Sequence, residues 1–115
     1  MGKIYDASGK ILTGDNFPQI NFKDKKGNPI LLVVDNRQST YKKIQKLSRE
    51  METNPKEDVD YEREILVLAL TEKQMKNIDK MDLSVKAMKE LSLYVMAAIQ
   101  EEDYEKIKEA VEKNQ

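Results

Sequence analysis

The chain has 115 residues with neither Cys nor His, and 20 Lys plus Arg against 21 Asp plus Glu give a formal net charge of -1. The missing cysteines exclude disulfides, thiolate catalysis and Cys-ligated metals, and the missing histidines remove the usual general base and the commonest zinc ligand. Charged residues at 36% and apolar residues at 39% describe one domain (1–115) with a thin core and a solvated surface, whose balanced charge draws neither nucleic acid nor anionic lipid.

Residues 1–37 hold all four glycines, two of the three prolines and both phenylalanines, so this part is expected to be β-rich. Turn signals recur at "DASGK", "TGDN" and "KKGNP". "INFKD" and "PILLVVDN" flank "KKGN", which predicts a β-hairpin over 20–34 with its second strand starting just after Pro29. The start, "MGKIYDASGK", lacks the apolar core of a signal peptide, and no uncharged run reaches about 18 residues, so the expected location is the cytoplasm.

From Ser39 the period becomes helical, with Tyr41, Ile44, Leu47, Ser48 and Met51 on one stripe and Ser39 or Thr40 as N-cap. "TNPKEDVD" interrupts, because Pro55 biases Asn54 away from the helical region. A second helix over 59–70 has acids in its first turn, where the helix dipole favours them. Thr71 and Gln74 match a capping box that opens a short helix burying Met75, Ile78 and Met81. Asp82 or Ser84 then caps a helix over 84–99. Its stripe of Val85, Met88, Leu91, Val95 and Ile99 is widened by Ala87, Leu93, Tyr94, Met96 and Ala98 until the last two turns are apolar almost all round. That marks the central helix. "EEDYEKIKEAVEKNQ" carries a narrow stripe of Tyr104, Ile107 and Val111, either a docked last helix or a partly frayed one. The fold class predicted is α+β, mainly α: an N-terminal hairpin followed by a bundle of four to five helices over 38–115.

Chemistry is sparse. Asp58, Asp60, Glu62 and Glu64 alternate like the start of a calcium loop, yet Arg63 and Ala69 stand where Gly and Glu are required. Gly9-Lys10 lacks the rest of a phosphate-binding loop, and Ser8, Ser39, Ser48, Ser84 and Ser92 have no His to activate them. The expectation is a protein with no catalytic, cofactor or metal site. Five helical methionines, Met51, Met75, Met81, Met88 and Met96, are core fillers in the plain reading and an adaptable partner groove in the functional one. Met75 and Met81, on a short helix with little to cover it, are the methionines assigned to the groove, with Leu93, Tyr94 and Met96 as the candidate outer edge of the central helix.

The stretch "EILVLALTEKQMKNIDKMDLSVKAMKELSLYVMAAIQEED", residues 64–103, resembles the C-terminal half of tail assembly chaperones of long-tailed phages and prophages. The likeness rests on the small-apolar run "ILVLALTEKQ", the short helix leading into "IDKMDLS", and "LSLYVMAAIQEED" with its paired alanines and acidic end. One departure is Thr71, where the family often has glycine. The resemblance implies a non-enzymatic protein of the host cytoplasm, absent from the mature virion. Such a protein coats the tape measure protein, keeps it soluble and helps recruit tail tube subunits, with self-association as a further contact. It also implies a frameshifted longer product, for which the polar end "EKNQ" would suit the junction. The alternative is a small phage or bacterial regulatory adaptor that binds another protein. In it residues 59–81 would form a helix-turn-helix, with Lys73, Lys76 and Lys80 on one face, although a DNA reader calls for a more basic recognition helix.

Overall fold

The computed structural model describes residues 2–7 and 17–113. Among these residues two strands, β1 (Gln19–Lys23) and β2 (Pro29–Val33), precede five helices: α1 (Gln38–Thr53), α2 (Asp58–Ala69), α3 (Glu72–Met81), α4 (Val85–Gln100) and α5 (Tyr104–Lys113). The architecture is α+β and mainly α, as expected from the change of period near residue 37. The turns expected within 8–10 and 13–16, Ser8, the Gly9-Lys10 pair and the last two residues of "EKNQ" lie outside the described residues. Among the described residues no helix is long and apolar enough to cross a membrane.

The hairpin turns through Lys25, Lys26 and Gly27. Gly27 takes φ 82, the left-handed conformation that ends a three-residue hairpin loop. Asp24 holds the turn from inside: its Oδ1 accepts the N–H of Lys26 (2.9 Å) and of Asn28 (2.8 Å). Pro29 itself opens β2, opposite Lys23. Ile20 pairs with Leu32 and Phe22 with Ile30, and these side chains, with Val34, face the helices. Val34 donates to the Pro18 carbonyl (2.9 Å) and Asp24 to the Asn28 carbonyl (3.0 Å), which makes the even-numbered pairs the hydrogen-bonded ones. The N–H and C=O groups of Asn21 and Lys23 therefore point away from β2, and those of Leu31 and Val33 away from β1. Pro29 also falls on an outward position, so its missing N–H costs no ladder bond.

Helix α1 begins earlier than its serine and threonine indicated. Neither Ser39 nor Thr40 caps it; the N-cap position is Arg37, without a side-chain cap bond, and Thr40 is buried. The preceding turn is held instead by Asp35, whose Oδ1 accepts the Arg37 N–H (3.1 Å) while its carboxylate takes the guanidinium at 3.0 and 2.8 Å. This pairing holds the Asp35 carboxyl down to about 2. Ile44 and Leu47 reach the core and Tyr41 packs on it, but Ser48 is exposed. Asn54, ahead of Pro55, leaves the helix at φ -140.

Leu70 and Thr71 are the only residues between α2 and α3. No left-handed residue is needed there, because Thr71 stays extended and its hydroxyl accepts the Gln74 N–H (3.2 Å). The capping box is only half made. The Gln74 side chain turns to β2 instead: the Val33 N–H donates to Gln74 Oε1 (2.7 Å) and Gln74 Nε2 donates to the Val33 carbonyl (3.0 Å). A side-chain amide thus takes the place of a neighbouring strand and lays the hairpin over the first turn of α3.

Helix α4 lies against α2, α5 and β1. One side, with Leu91, Val95 and Ile99, joins the main core of Leu32, Val34, Ile44, Leu47, Leu66 and Ile78. The other, with Leu93 and Ala97, meets Ile107 of α5 in a small second cluster. Burial of both sides accounts for the nearly all-round apolar sequence. Val85 departs from the expected stripe: at the first position of α4 it is 70% exposed.

Candidate functional site

Two local events open a groove beside α4. Asp82 turns left-handed (φ 45, ψ 60) and ends α3, and two residues later the Ser84 hydroxyl accepts the Ala87 N–H (3.1 Å) and starts α4. Ser84, rather than Asp82, is thus the cap of α4. The hairpin stands across from this junction, and between them lies a groove of about 910 Å³. Its floor is apolar, made by Ile20 and Phe22 of β1, Met81 and Leu83 of the junction, and Ala87 and Leu91 of α4. Its rim is cationic, with Lys23, Lys25 and Lys26 on the hairpin side and Lys80 and Lys86 on the helical side.

The two carboxylates of the groove are already engaged. Asp24 is held by the turn amides, chiefly that of Asn28, which keep its pKa below the ordinary value. Glu90 accepts the hydroxyl of Tyr104. Burial and the adjacent Glu90 push that phenol well above its usual range, so it stays a donor. Tyr104 also stacks on Tyr94 with ring centroids 4.1 Å apart and planes 14° from parallel, which fixes the Tyr94 ring at the far end of the groove.

The five residues assigned to partner contact separate into two groups. Met81 and Tyr94 line the groove, the latter 45% exposed. Met75 does not: it is 6% exposed and sits in the main core, because the hairpin covers the short helix that looked uncovered. Leu93 is 5% exposed beneath α5, and Met96 is half-buried between the two clusters. Lys80, placed by the sequence only on the lysine face of the alternative reading, joins this rim, while Phe22, Lys23, Lys25, Lys26 and Lys86 carry no expected role. Their signal was the pair of lysine-rich stretches "FKDKK" and "KAMKE", which the fold brings to opposite sides of one cleft.

Other groups carry less. The exposed face of α3 is of mixed sign, since Glu72 pairs with Lys76 (3.9 Å) and Asp79 with Arg63 (2.8 Å). Ser92 donates to the Lys89 carbonyl (2.8 Å). Glu62 is buried on α2 with no partner for Oε1 among the described residues; burial first and Asp58 second raise its pKa, and Lys89 opposes them. Among the described residues no group of three or more acidic side chains is placed to hold a metal ion. Comparisons with family models, with curated proteins and with solved structures give no match for this chain.

Proposed function

We propose that this protein is a non-enzymatic tail assembly chaperone of a phage or prophage. It binds the tape measure protein in the host cytoplasm, keeps it soluble, helps recruit tail tube subunits and is absent from the finished particle. The observation that carries this reading is the open apolar groove beside α4, whose lining Met81 and Tyr94 share with Phe22 and Leu91. Covering apolar surface on a long client requires a cleft that can repack, and a flexible thioether on its floor supplies that. Modest apolar contacts repeated along a long client would together cover the surface through which it aggregates.

Co-expression with the tape measure protein of the same genome tests the proposal. The expected result is a soluble tape measure that co-purifies with this chain, and loss of co-purification on Met81→Asp with the fold retained by circular dichroism. An insoluble tape measure beside a folded chain in the supernatant would overturn it in favour of the regulatory adaptor.

A further inference from the structure

The groove is flanked by a sheet edge as well as by side chains. Five successive residues, Ile20 to Asp24, line it, which places the main chain of β1 along its wall. Within that stretch the register turns the N–H and C=O groups of Asn21 and Lys23 away from β2. Among the described residues nothing accepts from or donates to them. The opposite edge is treated differently: Val33 is bonded on both groups by Gln74, and Pro29 has no N–H to offer. The β2 edge is therefore blocked at both ends, leaving only Leu31 with both groups outward, whereas neither outward residue of β1 along the groove is engaged.

Charge adds a second, independent selection. Among the described residues none of Lys23, Lys25, Lys26, Lys80 and Lys86 forms a salt bridge, whereas Lys56, Lys76 and Lys106 each do. Asp24 and Glu90, the acids that line the groove among the described residues, are held by the turn and by Tyr104. The cleft thus offers cations without salt-bridge partners over an apolar floor.

On the reading that this groove is the partner site, we propose that it holds an acidic, extended segment of the partner, added to β1 as a third strand between the hairpin and α4. A helix has no free main-chain groups to satisfy Asn21 and Lys23; an extended chain satisfies them in register. A strand of about five residues matches the length of β1, roughly 17 Å. Its alternate side chains would fall on Phe22 and Leu91 and among the lysines, so acidic residues alternating with apolar ones are the favoured sequence.

The probe is a fluorescein-labelled peptide of sequence EVEIEVE, compared with KVKIKVK and with a helix-forming peptide of the same charge as the first. The expected result is salt-sensitive binding of EVEIEVE alone, with amide exchange at Asn21 and Lys23 slowed in the complex. Asn21→Pro removes one outward N–H at a position where a strand edge tolerates proline, and should weaken binding about tenfold or more. Lys25→Glu combined with Lys86→Glu alters two exposed side chains and should weaken it at least as much, so a hairpin disturbed by proline leaves the proposal testable. Equal binding of the helical peptide, unchanged exchange at Asn21 and Lys23, or no binding of EVEIEVE would overturn it. Tape measure that co-purifies with folded Asn21→Pro as with the unaltered chain would remove the strand mode and leave the chaperone proposal standing. Peptide binding without tape measure solubility would do the reverse.

Discussion

The two sides of α4 are packed to different depths. Toward α2, Leu91, Val95 and Ile99 enter a core shared by α1, α2, α3 and the hairpin, in which Val34, Leu66 and Val95 are fully enclosed. Toward α5, Leu93 and Ala97 meet one buried partner, Ile107, with Tyr104 and Met96 at the margin. The same apolar helix therefore anchors a cooperative core on one side and a lightly held element on the other. Burial of a helix face does not by itself say how firmly its neighbour is attached; the number of elements that share the cluster does.

Removing a side chain from each cluster tests this contrast most directly. Leu66→Ala leaves a cavity with no solvent-exposed wall and should cost about 2–5 kcal/mol in chemical denaturation. Ile107→Ala should cost about 1–2 kcal/mol and speed amide exchange within α5 while leaving α2 protected. Equal costs, or exchange rising across both helices together, would mean that one core spans both sides.

Glu62 sharpens the contrast from the stronger side, since it is a flaw in the better-packed cluster. Its pKa is raised above the ordinary 4.5, chiefly by burial, so the charged form destabilises the fold. The penalty is absent below the unfolded value, grows as pH rises through the folded one, and is complete above it. Glu62→Gln should therefore stabilise the protein by about 1 kcal/mol at neutral pH, with the gain vanishing near pH 4. A gain independent of pH would implicate something other than the charge.

Asp35 provides the smallest effect and the opposite sign. The Arg37 guanidinium keeps its carboxyl at about 2 against an ordinary 3.8, so its contribution is full above pH 3.8 and is lost as pH falls toward 2. Asp35→Asn should cost about 0.5 kcal/mol at pH 7 and nothing measurable at pH 2, as expected of a largely solvated ion pair. Melting curves at the two pH values check it.

Elements whose signal was local were legible in the sequence. The hairpin turn followed from "KKGN", the break near Asn54 from Pro55, and the Thr71 and Ser84 caps from hydroxyls just ahead of apolar periods. Choices between a local bond and a distant one were not. Ser39 and Thr40 lost the α1 start to Asp35, and Gln74 left its own helix end for Val33, 41 residues away in sequence. The partner residues divide on the same principle. Periodicity placed Leu93 and Met75 on apolar faces without showing that α5 and the hairpin cover them. Met81 and Tyr94 reached the groove because they stand where such coverage stops.

The bond between Gln74 and Val33 also bears on what happens when many copies are crowded together. A free strand edge on each side of a hairpin would let β1 of one molecule stack on β2 of the next, a head-to-tail contact that never closes and grows into a fibre. With Val33 occupied from within and Pro29 lacking a donor, that second edge is blunted at both ends. Only Leu31 and the Pro29 carbonyl remain there to pair, so growth through the hairpin would have a short, interrupted template.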